Sequence, residues 1–387
     1  MYQPQFCSSR SNSAQLFPAR SGSAQFCSSR SGSVPAAAVS EAIFKPKPFP
    51  KTARIGLALS GGGIRAAVFH LGVLKWMAKL GLLEQLRHIS TVSGASLAVA
   101  LLYTKNGGRF PESGDYLTSV LPAVRETILN YDIQDRALMS LTVRPWNWRK
   151  KANLLAEAIE CLWDVRGLVC DLPDEPLWSI NCTTFETGKD FRITPLKMGD
   201  YKIGYAQRPA ISIAEAAAAS AGFPVLIGPY RLAPGAIPEK PALHLWDGGV
   251  YDNLGLEALY KIADNGHLTG DLDCLIISNA SSPNGSARRE FFSPVKNLKR
   301  LLEITMDQVN SLRSRDVIDY FKRMENGSYL RIGAAPRGPL DLPPAAISYV
   351  RRYPTTLASP TPEHFDLILR HGYEVARAGI ALPDESQ

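Results

Sequence analysis

The sequence predicts an α/β protein built on a mostly parallel sheet flanked by helices, and three observations carry that expectation. Ile55–Leu59 is a short apolar run that ends in Ser60-Gly61-Gly62-Gly63 and leads into a helical pattern from about Ile64 to Leu80. His88–Val92 repeats the same order: a short strand, the turn Ser93-Gly94-Ala95-Ser96, and a helix over Gly94–Tyr103. The chain has 387 residues, 45% of them hydrophobic and 20% charged, enough to bury a sizeable core. Strand, glycine turn and helix in succession imply parallel strands joined by crossovers, and such sheets place their sites at the carboxyl ends of the strands.

Before the first strand, residues 1–50 read as a low-complexity tail and linker. A ten-residue unit recurs there as QFCSSRSNSA from Gln5, QLFPARSGSA from Gln15 and QFCSSRSGSV from Gln25. Ser, Arg and Gly in that proportion build no core, so the tail is expected to be disordered. Its Arg- and Ser-rich, acid-poor composition is also that of an organellar transit peptide, but it carries no convincing amphipathic helix. The linker EAIFKPKPFPKT is stiffened by its prolines.

After the second helix, residues 115–165 read as mainly helical. Ser179–Thr184 and Phe191–Thr194 read as strands around the turn Glu186-Thr187-Gly188-Lys189. Ile213–Ala221 is an Ala-rich helix stopped by Gly222 and Pro224. Leu243–Trp246 and Cys274–Ser278 are further buried strands, Arg288–Arg323 is mostly helix, and a last helix follows Pro362. The expected organisation is therefore a tail to residue 50, an α/β core over 51–285, and a mainly helical C-terminal extension over 286–387, packed on the core.

Charge and cysteine usage narrow the function classes. Of the net +7, residues 1–54 supply almost all, with seven Lys or Arg against Glu41 alone. The nearly neutral body lacks the basic face that a nucleic-acid binder needs, so no nucleic-acid partner is expected. None of the six cysteines forms a CxxC pair, which argues against a zinc or redox site and favours a reduced, cytoplasmic compartment. No apolar run reaches 18 residues and no apolar signal segment opens the chain.

Three local motifs carry chemistry. In Ser60-Gly61-Gly62-Gly63-Ile64-Arg65, consecutive glycines let backbone N–H groups converge on an anion at a helix N-terminus. That loop suits either a phosphate or the oxyanion of acyl transfer. Gly61-x-Gly63-x-x-Ala66 also fits a dinucleotide fingerprint, but the second strand ends in Ser93 rather than the acid that would hold a ribose. No Lys-Ser or Lys-Thr follows, so a Walker loop is excluded.

The second motif, Thr91-Val92-Ser93-Gly94-Ala95, has the form of a nucleophile elbow with both outer glycines replaced. Ser93 reads either as a nucleophile or as an ordinary helix N-cap. Ser96 and Ser90 are fallback nucleophiles, whereas Ser60 and Ser220 read as structural. In the third motif, Asp247 ends a strand and precedes Gly248-Gly249, so its carboxylate stands in a narrow site. An Asp-Gly turn is the plainer reading, and Asp252-Asn253 read as loop hydrogen bonding or a cap.

Together the motifs resemble those of the patatin-like phospholipase family. GGGIR at 61–65 looks like its G-G-G-x-R oxyanion motif, Asp247-Gly248-Gly249 like its D-G-G/A motif, and Ser93 sits where its nucleophile belongs. Ala221-Gly222-Phe223-Pro224 and Asn181-Cys182-Thr183-Thr184 are similar as well, so the resemblance spans roughly residues 53–285. The elbow, serine followed by glycine and a second small residue, is closer to the cytosolic phospholipase catalytic domain than to plant patatin.

This resemblance implies a three-layer patatin-like fold and a lipid acyl hydrolase acting on glycerolipid esters, with Ser93 as nucleophile and Asp247 as its base. It further implies an oxyanion hole at Gly61, Gly62 and Gly63, a phospholipid or other acyl-ester substrate, and neither cofactor nor metal. Arg65 either braces the loop or meets a head-group phosphate.

Two features remain open at this level. Val143–Lys151 pairs Trp146 and Trp148 with four cations, Arg149 and Lys150 among them, in the manner of an interfacial anchor, or else the tryptophans pack on the core. His364 and His371 follow Asp247 in the order that a Ser-Asp-His triad requires. The alternative class is a nucleotide-binding protein, or an inactive lipid binder, using the Gly61–Gly63 loop.

Overall fold

The computed structural model describes residues 52–224, 227–262, 266–281, 293–335 and 342–381, all within one compact unit spanning 42–387. The ten-residue repeats and the linker up to residue 51 lie outside the described residues.

The chain enters the sheet at β1 (Ile55–Leu59) and turns through glycines into α1 (Gly63–Lys79). It returns through β2 (Leu86–Val92) and α2 (Gly94–Lys105). A helical stretch follows: α3 (Ser113–Asp115), a π-turn at Tyr116–Val120, α4 (Leu121–Asn130), α5 (Ile133–Val143), a 3-10 segment at Pro145–Lys150, and α6 (Lys151–Trp163). Next come β3 (Leu177–Thr184) and a short-stranded meander, β4 (Asp190–Ile193), β5 (Lys197–Asp200) and β6 (Gly204–Gln207). Helix α7 (Ile213–Ser220) precedes β7 (Tyr230–Leu232), β8 (Leu243–Asp247) and the turn α8 (Gly249–Asp252). A small hairpin, β9 (Tyr260–Lys261) and β10 (His267–Leu268), leads to β11 (Cys274–Asn279). The remainder is α9 (Pro294–Met324), β12 (Gly327–Arg331), α10 (Pro344–Arg352) and α11 (Pro362–Gly379).

The sheet runs β12-β11-β1-β2-β3 with every neighbour parallel, then continues antiparallel through β4, β5 and β6. Strands buried on both faces need no alternation, which is why β1 and β11 read as plain apolar runs. On one face Ile55, Leu57, Leu59 and Ile276 join α1, α2 and α11 in the main core. On the other, Ala58, Leu275 and Ile277 pack with Leu254–Tyr260 and with Val317 and Phe321 of α9. The result is the expected α/β architecture, three layers with helices on both faces of the sheet. The described residues after 292 form α9, β12, α10 and α11, and β12 pairs with β11 at the sheet edge.

One register decides where the site lies. Val92, the last residue of β2, pairs with Asn181 of β3, and the next β3 residue, Cys182, pairs with Asp247 of β8. Since β4 occupies the other edge of β3, β8 takes the edge that β2 leaves at its end. The parallel strand that leads into Ser93 and the antiparallel strand ending at Asp247 therefore meet tip to tip. Among the described residues no helix is long and apolar enough to cross a membrane.

Candidate active site

Ser93 has φ 55° and ψ −123°, a conformation that non-glycine residues adopt only under strain imposed by their surroundings. It occupies the N-cap position of α2, yet its side chain makes no capping hydrogen bond, so the plain N-cap reading fails. The hydroxyl instead lies beside the Asp247 carboxylate, near enough to lower that group's pKa.

A buried chain of hydroxyls holds this turn, and its polarity follows from its ends. The Trp178 indole N–H, a donor only, reaches Thr91 Oγ1 at 2.9 Å, and the Ser220 hydroxyl donates to the Asn181 carbonyl at 2.8 Å. Between them, Thr91 must donate to Ser96 (2.9 Å) and Ser96 to Ser220 (2.8 Å). Ser220 Oγ also accepts the Ser93 amide hydrogen at 2.9 Å. Thr91 is thus tolerated where an elbow usually has glycine because its side chain is a link in this chain.

Ser220 ends α7, which opens with a capping box: Ser212 Oγ accepts from Glu215 N–H at 3.1 Å and Glu215 from Ser212 N–H at 2.9 Å. The same helix end grips the other motif, for Gly222 O accepts from Asp247 N–H and Ser220 O from Gly248 N–H. Ser96 and Ser90, the fallback nucleophiles, are fully buried; Ser90 donates to Gly255 O.

Asp247 is 2% exposed. Burial pushes its carboxyl up to about 6, opposed by the hydrogen bond from the Gly249 amide (2.8 Å) and by the Ser93 hydroxyl. Asp252 acts as the expected loop cap, accepting from the amides of Leu254 and Glu257.

The glycine loop interlocks with the elbow. A Cβ on Gly94 would stand 1.9 Å from the Gly63 carbonyl oxygen, so only glycine lets the two turns close. The Gly61 amide donates to Asn253 O at 3.0 Å, which corrects the expectation that Gly61 supplies an oxyanion donor. Its lack of a side chain is what matters, since a Cβ there would press on Ser93 and Asn253. Gly62 and Gly63 line the cavity described below. Ile64 N–H donates to Thr356 O at 2.8 Å, so the chain at 355–357 covers the helix N-terminus that a dinucleotide pyrophosphate would occupy.

Arg65 is buried and held by the carbonyls of Tyr353 (2.5 Å) and Ala280 (3.2 Å), with its Nε unpartnered. Burial lowers its pKa to about 10. Of its two expected roles, bracing is the one these contacts display, though the side chain also borders the cavity described next.

A cavity of about 340 Å³ opens over Ser93, Asp247 and Gly61–Gly63. Its far walls come from Gln134 of α5, Phe223, Met306 and neighbours on α9, and Thr355–Leu357. None of the six histidines lines it. His371 is buried against Phe69, held near pKa 4 by burial, and accepts from Gly333 N–H; His364 bonds Tyr349. Neither histidine lines the cavity, so the competing Ser-Asp-His triad finds no imidazole there. Trp146 and Trp148 are 75% and 67% exposed on the 3-10 segment and do not line the cavity, so they are not core. Lys151 lies over the Trp148 ring at 3.8 Å, Lys150 is exposed, and the Arg149 side chain is outside the described residues. The remote walls, Met306 and Thr355–Leu357, carry no sequence signal that marks them as part of a site.

A family model for patatin-like phospholipases matches residues 57–260. Over 48 residues the chain is 50% identical to cytosolic phospholipase A2 gamma of Mus musculus, covering 12% of this chain and 8% of that protein. The Homo sapiens protein of the same name is 46% identical over 48 residues, covering 12% and 9%. Among solved structures, human GIVD cytosolic phospholipase A2 matches with a TM-score of 0.50 at 14% identity, covering 85% of this chain and 60% of that one. The chain thus matches less than two thirds of the length of each of these proteins.

Proposed function

The chain belongs to the patatin-like phospholipase family, and from that premise we propose that it hydrolyses acyl esters of glycerolipids, phospholipids first, through a Ser93–Asp247 dyad. The observation that carries the reading is the strained Ser93, whose hydroxyl meets a buried carboxylate held near pKa 6 at the floor of a cavity lined by glycine amides.

Asp247 takes the proton of Ser93 as Oγ attacks the ester carbonyl, with no imidazole between them. The oxyanion that develops is held by the amides of Gly62 and Gly63. Asp247 returns its proton to the departing alcohol, leaving an acyl-enzyme. Water, activated by the same carboxylate, attacks the acyl carbon; the acid leaves and the proton returns to Ser93. A pKa near 6 keeps the carboxylate mostly ionised at neutral pH while leaving it basic enough to accept a proton. Arg65 steadies the loop beside the cavity.

The enzyme reaches its substrate as a cytoplasmic protein that touches membranes peripherally. Val143 at the end of α5 and Trp146 and Trp148 just beyond it are exposed, as are Leu298 and Leu301 on α9, and both helices contribute to the cavity wall. Apolar side chains interspersed with Lys150, Lys151 and Lys299 suit the boundary of head groups and acyl chains.

An alkyl fluorophosphonate tests the dyad. The expected result is a stoichiometric adduct on Ser93, absent in Ser93→Ala, together with fatty acid release from mixed lipid extracts by the wild type alone. A folded protein that takes no label would make the chain a lipid binder instead.

A further inference from the structure

A second cavity, of about 300 Å³, is lined by the antiparallel meander and by residues of the segment after Asp247. Phe191 and Ile193 turn one face of β4 into the core, so Asp190 and Arg192 stand on the other. Arg192 pairs across the sheet with Gly199, and Gly199 with Tyr205. A Cβ on Gly199 would stand 2.1 Å from Gly204 O, so the position between Arg192 and Tyr205 has no side chain, and the gap is the floor of the cavity. Lys197, Thr194 and Tyr201 border it on the meander side, and Tyr251, Glu257 and Lys261 form the facing wall.

The charges sort themselves. Asp190 pairs with Arg192 at 2.6 Å, and Glu257 with Lys261 at 2.8 Å and with Arg313 at 2.9 Å. The two carboxylates of the lining are thereby answered, while Lys197, placed over the Tyr205 ring at 4.9 Å, adds a cation without a carboxylate among the described residues. The hydroxyls of Tyr205 and Tyr251 form no hydrogen bond with another described residue. N–H and O–H donors thus converge from three strands and from the facing wall, with net positive charge. Such an array suits a tetrahedral, doubly charged oxyanion with several acceptors better than a planar carboxylate.

Two connections lead from the cavity to the dyad. Arg192 Nε reaches Asn181 Oδ1 at 3.4 Å, and Asn181 binds Ser90 and the Thr91 carbonyl and precedes Cys182, the strand partner of Asp247. On the other wall, Arg313 joins Glu257 to Asp252, which lies on the turn that leaves Asp247.

We propose that this cavity binds a phosphate monoester and that its occupancy changes the turnover of the Ser93–Asp247 site. The regulatory half rests on the hydrolase reading; the binding half does not.

Glycerol 3-phosphate titrated calorimetrically into the full chain tests binding, with acetate as the planar control. The wild type and Ser93→Ala bind saturably, acetate does not compete, Lys197→Glu weakens binding by roughly 100-fold, and Tyr205→Phe weakens it by about tenfold. Lys197 is exposed on a short strand, so its variant folds as the wild type, with unchanged hydrolysis of a soluble ester when no ligand is present. Glycerol 3-phosphate alters kcat of the wild type but not of Lys197→Glu. Phosphatidylcholine vesicles with and without phosphatidic acid then identify the source: capture that requires phosphatidic acid and is displaced by glycerol 3-phosphate marks a lipid head group, and binding of the soluble ester without capture marks a free metabolite. Absence of binding by either ligand, or equal binding by wild type and Lys197→Glu, overturns the site. Binding without any hydrolase activity would refute the dyad and leave the site standing; binding that leaves kcat of an active wild type unmoved would refute the coupling.

Discussion

The Ser220 hydroxyl accepts the amide hydrogen of Ser93 at 2.9 Å, while the Ser220 carbonyl accepts the amide hydrogen of Gly248, so one residue holds both halves of the proposed dyad. Removing that hydroxyl in Ser220→Ala leaves the Ser93 amide and the Asn181 carbonyl unsatisfied in a dry environment, at a cost of about 1–3 kcal/mol. The expected outcome is a lower melting temperature and a kcat reduced roughly 10- to 100-fold, with KM nearly unchanged, because the strained elbow relaxes while the cavity stays intact. Steady-state kinetics on a soluble ester, with a thermal melt, decide it; an unchanged kcat would assign Ser220 to folding alone.

Asp247 sets the pH profile. Its folded pKa of about 6 lies above that of an exposed Asp, and in the proposed mechanism the ionised form is the working one. Activity should therefore rise about tenfold per pH unit below 6 and level off above it. Stability runs the opposite way, since the penalty for burying the charge is absent below about pH 4 and grows as pH rises through about 6. Asp247→Asn keeps an acceptor for the Gly249 amide and removes the penalty, so it should be inactive yet more stable than wild type at pH 8, by roughly 1–3 kcal/mol. Denaturant melts at pH 4 and pH 8 check the sign.

Gly94→Ala sets a methyl group against the Gly63 carbonyl, 1.9 Å from its oxygen. Forcing the two turns apart costs at least about 1–3 kcal/mol and carries the Gly62 and Gly63 amides out of reach of the oxyanion, with a loss on the order of 100-fold in kcat. Circular dichroism and kcat separate displacement of the loop from global unfolding.

His371→Ala and His364→Ala should both keep kcat. His371 accepts from the Gly333 amide inside the core, so its removal lowers stability by roughly 1–3 kcal/mol, whereas the half-buried His364, packed on Tyr349 and Tyr353, costs less. Loss of hydrolysis in either folded variant would restore the triad.

Replacing Trp146 and Trp148 by Ala should reduce cosedimentation with phospholipid vesicles and leave hydrolysis of a soluble ester unaltered, since both rings stand outside the cavity. Equal vesicle binding by the double variant would move the membrane contact elsewhere.

Much of the frame was legible because it is written in local backbone preference. Short apolar runs ending in glycine or serine could only be parallel strands feeding helices, and α1, α2 and α7 begin and end within a residue or two of the expected positions. The strands β5, β6 and β12 carried too few apolar residues to announce themselves. They are strands because neighbouring strands offer them hydrogen bonds, which is a property of the sheet and not of the segment.

The same division runs through the site. By itself the sequence determined the glycine loop, the small residues after Ser93 and the Asp-Gly-Gly turn, since each is a demand of local conformation. Only the tertiary structure decided that Ser93 and Asp247 face each other, because that depends on Asn181 and Cys182 pairing with two different strands on one edge of β3. It also decided that Gly61 has no amide to lend, that Arg65 is braced by carbonyls, and that no histidine reaches the pair. Each of these turns on which distant group takes a given hydrogen bond, and that partner is settled by strand register and helix packing rather than by the residues alongside.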